Sequence, residues 1–396
     1  MELRERGSVI TLPAPDGTMA AFRVLEVPVM HPELQARYPM IRTYSGVGIT
    51  DPSATVKLDF GPNGLHAMVT PGDRRTWFID PVQVGDIDHY QVYDRESLMR
   101  SGGQPAFTCG VDEHNDMEQE AARTRQWIDQ MGQDRAGDCQ FRTYRLALAC
   151  TGEYANFHGS NTTNNDKSFA LAAMVTTMNR VNDMFERDAT LTMVLVANTD
   201  QLIHLDGSTD PYTNNDGGTM LDQNQTTCNG VIGSANYDIG HVFSTGGGGV
   251  AYLNSPCSSS NKAKGVTGRN EPVGDAFDID YVAHEMGHQF GGNHTQNNNC
   301  NRAGSASVEV GSGITIMGYA GSCAPDVAEH SIAMFGGYSI QEMAANVTTG
   351  TSSTCPTTVS LVPEVAPIAS AGVARVIPRS TPFILTGSAT DANGAD

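Results

Sequence analysis

The pattern of apolar positions changes character near residue 140. Before it, short apolar runs at Thr55–Phe60, Leu65–Thr70, Arg75–Ile79 and His89–Tyr93 are separated by Asp-Pro, Gly-Pro and Pro-Gly pairs. Runs of that length between such turns predict a β-rich segment. A charged, helix-compatible stretch, Asp112–Gln130, comes next, followed by a polar patch, Gly132–Asp138. That patch reads as an exposed linker, with Arg135 in it and Arg142 beside it open to a protease. From Phe141 the texture differs. Arg142, Tyr144, Leu146 and Leu148 alternate with their neighbours and predict a strand. Leu171, Val175, Met178, Val181 and Phe185 recur at three- and four-residue spacing, which predicts a helix over Lys167–Arg187. Leu191–Ala197 is a short apolar run and predicts a buried strand, so the order is strand–helix–strand, an α/β unit. Val231–Ser244 and Gly249–Leu253 flank a Gly-rich turn and predict further strands, and Asp275–Phe290 is helical by pattern.

Composition narrows the partners. The 396 residues carry 24 Lys plus Arg against 44 Asp plus Glu, a formal charge of −20, which argues against nucleic acid or an anionic membrane as partner. With 39% hydrophobic and 17% charged residues the chain is globular, and its length suits two or three domains. No apolar run reaches the roughly 18 residues that span a bilayer. The opening MELRERGSVI lacks the apolar core of a secretory signal. Eight cysteines are scattered as Cys109, Cys139, Cys150, Cys228, Cys257, Cys300, Cys323 and Cys355. None forms a C-x-x-C pair, which argues against a cysteine-only zinc ribbon, and their scatter reads as secreted disulfides.

The chemistry concentrates in His284-Glu285-Met286-Gly287-His288-Gln289-Phe290-Gly291-Gly292-Asn293-His294. On a helix, His284 and His288 are four apart and share one face. Val282, Met286 and Phe290 share another, which would hold the helix against a core. Gly291 can take positive φ, end the helix and let the chain return His294 to the same point. Three neutral imidazoles leave a fourth tetrahedral position open, as in a catalytic rather than a structural zinc site. Glu285, beside the first imidazole, is placed to act on a water there as general base.

This segment is the H-E-x-x-H-x-x-G-x-x-H signature, and it resembles the metzincin zinc proteases. Thr315-Ile316-Met317-Gly318-Tyr319, with Met317 about 23 residues after His294, resembles their Met-turn, which puts a Met under the three histidines. From about Arg142 to Cys355 the chain is similar to bacterial reprolysin-like, adamalysin-related metallopeptidases, carried by ACTGEYANFHG, TMNRVNDMFERD, STDPYTNNDGG, NGVIGSANYDIGHVFSTGGGGVA and FDIDYVAHEMGHQFGGNH. The resemblance implies an α/β (α+β) catalytic domain with a twisted, mostly parallel sheet, an active-site helix and a cleft above zinc. It also implies endopeptidase activity on proteins or peptides, and secretion as a zymogen whose signal peptide is absent from this chain. Domains are then expected at 1–138 (β-rich inhibitory prodomain), 139–358 (catalytic) and 359–396 (linker and start of a truncated immunoglobulin-like β-sandwich). Adamalysins place Asp after the third His, where this chain has Thr295. Tyr319 resembles the Tyr of astacins and serralysins, which touches zinc or the transition state. The substrate is expected to extend along an edge strand, with Gly249–Leu253 as the candidate.

Phe107-Thr108-Cys109-Gly110-Val111 resembles the Cys-Gly-Val cysteine switch of adamalysin-type prodomains, in which a thiolate fills the open zinc position. Cys139, nearer the expected boundary, is the rival. Cys228–Cys257, Cys300–Cys323 and Cys150–Cys355 are the pairings that loop proximity suggests, with Cys139 left over. Asp206, Asp210, Asn214, Asn215 and Asp216 offer hard oxygens for calcium but lack the EF-hand pattern, and a solvated turn is the better reading. Asp275, Asp278 and Asp280 read as a favourable helix start rather than an ion site. His204, His241 and His330 have no ligand spacing. Two other classes remain open: a zinc hydrolase of non-peptide amides, and a catalytically silent binding or adhesion module.

Overall fold

The computed structural model describes residues 7–72, 75–98, 109–110, 122–126, 138–361, 368–370, 372–384 and 386–390. The first seven strands are β1 (Ser8–Pro13), β2 (Met19–Glu26), β3 (Arg42–Gly48), β4 (Thr55–Gly61), β5 (Gly64–Thr70), β6 (Trp77–Pro81) and β7 (Tyr90–Asp94). Each pairs antiparallel with the next. Leu12, Phe22, Val24, Val56, Leu58, Val69, Trp77 and Ile79 form the core of this sheet. The four strands expected from turn-bounded runs are β4 to β7. The first three, SVITLP, MAAFRVLE and RTYSGVG, were not among the expected strands.

A second sheet contains β8 (Gln140–Cys150), β9 (Leu191–Leu195), β10 (Ile239–Ser244), β11 (Gly248–Ala251), β12 (Gly265–Gly268) and β13 (Thr357–Ser360). β8 runs parallel to β9 and β10, and β10 runs parallel to β12. β11 on β12 and β13 on β8 are antiparallel. The sheet is therefore mixed, with antiparallel strands at its margins, where the resemblance implied a mostly parallel one. Over both sheets antiparallel pairing predominates. The parallel step from β8 to β9 needs a long crossover, which the helix Ser168–Ala189 supplies.

That helix is buried nearly all round because it lies between the two sheets. Leu171, Val175, Met178, Val181 and Phe185 join the main core. Several of its polar residues meet the first sheet instead. Thr176 donates to Asp59 at 2.7 Å, Asn179 to the Leu58 carbonyl at 3.1 Å, and Glu186 pairs with Lys57 at 2.5 Å. Arg180, 2% exposed, bridges Asp80 of β6 at 2.5 Å and Asp278 at 3.0 Å. Arg95, just after β7, binds Asp275 and, at 2.5 Å, Asp280. His330 lies 2.6 Å from Asp280. So Asp275, Asp278 and Asp280 are not a plain helix start. They are the acidic half of a buried ion network, which holds only while its cations stay, since an unpaired buried carboxylate costs about 3–5 kcal/mol. Burial still pushes the Asp275 carboxyl up to about 7 against the pull of Arg95. The segment Val29–His31 adds to the same attachment by pairing with Leu195 on β9.

Several expectations are corrected. Val231 ends a helix, Gly217–Val231, and the strand begins only at Ile239. A second unforeseen helix is Gly337–Thr348. Arg142 is buried inside β8 and paired with Asp138 at 2.5 Å, so it is not open to a protease. Arg135 and most of the Asp112–Gln130 stretch lie outside the described residues, and 122–126 are helical. The disulfides are Cys300–Cys323, as expected, and Cys257–Cys355, with Cα atoms 6.3 and 5.5 Å apart. Cys150 and Cys228 are free and fully buried, and burial pushes the Cys228 thiol up to about 12. Cys228 sits on a helix face against β8 and β10, inside the core rather than in a loop. In the tail, β14 (Ile368–Ser370) pairs with β15 (Ser388–Thr390), both exposed. Residues 391–396 of the expected sandwich strand are outside the description. Among the described residues no helix is long and apolar enough to cross a membrane.

Candidate metal centre

The expected single helix has two parts. Ala276–Ala283 is π-helical, a wider turn often found at functional sites, and His284–Gln289 is α-helical. Val282, Met286 and Phe290 are fully buried in the main core. The helix ends at Phe290, and Gly291 takes φ 110°. A Cβ at Gly291 would come within 2.5 Å of Asn254 Oδ1, so both conformation and space require glycine. The reversal brings His294 back as the spacing predicted.

The three imidazoles face one another. Nε2 of His288 is 3.1 Å from Nε2 of His284 and 3.0 Å from that of His294, and the third pair is 3.3 Å apart. Each Nδ1 lies 2.7 Å from a backbone carbonyl: Ile316 for His284, Gly292 for His288, Asn301 for His294. A carbonyl only accepts, so each Nδ1 carries the proton and each Nε2 presents a lone pair. Burial pushes His284 down to about 4 and His294 to about 3, and holds His288 well below the ordinary value, so all three are neutral at pH 7. Three converging lone pairs repel unless a cation lies among them. Nitrogens ~2.0–2.1 Å from a tetrahedral zinc stand ~3.3 Å apart, so the donor set fits that ion.

Cys109 completes the group. Its Sγ is 3.4 Å from His288 Nε2, and the four ligand atoms lie within 4.8 Å of one another. It reaches this point by pairing with β11: Cys109 bridges Gly249, and Gly110 N–H donates to the Gly249 carbonyl at 2.9 Å. Cys139 precedes β8, its carbonyl accepting from Leu361 N–H, and is not in the group. Glu285 is fully buried and lies along Gly249, where an added Cβ would sit 2.3 Å from Oε1. Burial pushes its carboxyl well above the carboxylate range, opposed by the Cys109 thiol.

Met317 packs against the helix from the other side. A Cβ on Gly287 would meet its Sδ at 2.4 Å. The Met317 carbonyl accepts from Thr295 N–H at 3.1 Å, which ties the turn to the residue after His294. The Tyr319 ring lies 4.7 Å from that of His294 and 5.9 Å from that of His284.

Two residues near the histidines carry no sequence motif. Glu309 accepts from Thr295 Oγ1 at 2.5 Å, from Thr315 Oγ1, and from the N–H groups of Ile314 and Thr315 at 2.8 and 3.0 Å. It thus links the segment after His294 to the Met317 turn through Thr295. Asn301 takes positive φ, 45°, and its carbonyl orients His294. An Asn beside a cysteine was the only signal available.

The remaining polar groups have ordinary roles. His241 lies between Gln289 and Thr267, 2.8 and 2.9 Å away. Asp206 binds Ser208, Asp210 accepts from Gly152 and Tyr212, and Asp216 caps the helix Gly217–Val231. These oxygens serve turns and a cap, and a calcium site is not supported.

Compared with known protein families, residues 140–346 match the metallo-peptidase family M12B, reprolysin-like. No curated protein matches the chain.

Proposed function

Because the chain belongs to the M12B reprolysin-like metallopeptidase family and is a zinc metallopeptidase, we propose that it is a secreted endopeptidase held latent by its own N-terminal region. The observation that carries this is the convergence of His284, His288 and His294 with the Cys109 thiol. In this reading residues 1–138 are the inhibitory prodomain, 139–358 the catalytic domain, and 359–396 a linker and the opening of a β-sandwich. The two disulfides suit an oxidising, extracellular setting.

His284, His288 and His294 hold the ion, and Met317 and Gly291 keep their geometry. A zinc ion held by these residues would supply a water of lowered pKa, towards ~7, and polarisation of the scissile carbonyl. Glu285, next in sequence to His284, takes the proton of the attacking water and passes it to the leaving amine. Tyr319, whose ring lies beside that of His294, donates to the developing oxyanion in this reading. The substrate main chain adds to β11, the sheet edge that the Cys109–Gly110 segment occupies. While its thiol stays beside the three imidazoles, Cys109 would keep water and a substrate carbonyl from a metal held there.

The test is hydrolysis of a mixed quenched-fluorescent peptide library, before and after light trypsin treatment, with a chelator control. Cleavage is expected only after trimming and is abolished by chelator. One bound zinc without peptide cleavage in any state would instead favour a non-peptide amide substrate or a silent module.

A further inference from the structure

We infer that the Asn301 carboxamide binds a main-chain carbonyl of the peptide substrate. The inference rests on reading the site as a peptidase centre. Asn301 Nδ2 donates to the Cys109 carbonyl at 2.5 Å and to the Tyr319 hydroxyl at 3.1 Å. The carbonyl partner can only accept, which fixes the amide nitrogen toward it. The backbone of the same residue is committed elsewhere, its carbonyl taking the His294 Nδ1 proton at 2.7 Å. The neighbouring Cys300 is tied to Cys323, which anchors the loop.

The Cys109–Gly110 main chain is therefore gripped from two sides. Gly110 N–H bonds to the carbonyl of Gly249 on β11, and the Cys109 carbonyl bonds to Asn301. An extended substrate in this groove alternates in the same way, the N–H and carbonyl of one residue turned toward the sheet edge and those of the residue before it turned away, toward Asn301. The inhibitory segment thus stands in for the substrate main chain beside the scissile bond. When it departs, one N–H of the Asn301 carboxamide keeps the Tyr319 hydroxyl and the other faces the groove, open to a substrate carbonyl. Asn301 is then a substrate-binding residue that serves the latent and the active state in turn.

The experiment uses the full chain and its trypsin-activated form, with Asn301→Gly and Asn301→Asp. Glycine keeps the positive φ and the carbonyl on His294 but removes the carboxamide. Aspartate keeps the shape and removes the donor. Zinc is counted per chain, and kcat/KM is measured on a peptide. Affinity is measured for the peptide of residues 107–111 carrying Cys109→Ser, and for acetohydroxamate, which binds zinc without a peptide main chain. Both variants are expected to keep one zinc and unchanged acetohydroxamate affinity. Peptide affinity and kcat/KM should each fall roughly tenfold, and in the full chain Cys109 should react faster with iodoacetamide. Unchanged peptide affinity and kcat/KM with zinc retained overturns the inference. Loss of zinc in both variants also overturns it, since the side chain would then serve the metal site alone. If the unmutated active form cleaves no peptide, the peptidase reading fails, and the peptide-affinity measurement still decides the Asn301 contact.

Discussion

Glu285→Ala is expected to leave one zinc bound per chain while turnover falls by about 10²–10⁴-fold, the usual contribution of a positioned general base. The zinc should stay because its ligands are oriented from elsewhere, by the carbonyls of Ile316, Gly292 and Asn301. None of those contacts passes through residue 285. Turnover should fall because Glu285 is the carboxyl that lies against Gly249, at the edge where the substrate is proposed to bind. In the latent chain burial favours its protonated form. Opening the groove to water relieves that burial and restores a base. Metal analysis together with peptide hydrolysis of the trimmed variant checks this. Near-normal turnover would remove Glu285 from the mechanism.

The second large effect is the reverse in sign. Cys109→Ala is expected to make the full-length chain active without processing, by about 10²-fold or more over the unmutated chain. A thiol held at the metal by the chain itself competes with substrate at an effective concentration near millimolar. Activation should be incomplete, because the Gly110–Gly249 and Asn301–Cys109 backbone contacts survive the substitution. Trimming the variant should raise its rate further, and a progress curve on a peptide substrate reads both states. A variant that remains latent while Cys139→Ala becomes active would show that the wrong thiol had been chosen.

The metal centre was legible because its spacing is dictated by helix geometry. Residues four apart share a face, and a glycine after the last turn allows the return that seats His294. Cys109 and Met317 were singled out by short motifs that resemble those of a known family, and the structure brings Cys109 to the histidines and Met317 against Gly287 of the same helix. Glu309 and Asn301 were not, because each acts from a loop whose path depends on tertiary contacts. The disulfides mark the same limit: Cys257 and Cys355 are 98 residues apart and meet only once the chain after the helix Gly337–Thr348 packs back. The helix Gly217–Val231 escaped notice for a compositional reason. Its sequence, GGTMLDQNQTTCNGV, buries only Met220, Leu221, Asn224, Gln225 and Cys228, too few apolar positions to set a period. The helix Ser168–Ala189 was found from its apolar residues. Its burial on the opposite, polar face required knowing that the β1–β7 sheet lay there.

The ion network around Arg95 and Arg180 makes activation depend on concentration. A cut in the chain between the two sheets breaks no contact of Arg95 with Asp275 and Asp280, nor of Arg180 with Asp80. It turns an internal contact into a complex of two fragments, whose dissociated fraction follows mass action. Cleavage and release are then separate events. The fraction released should rise on dilution, so that an enzyme nicked where it is concentrated becomes fully active only after it has spread.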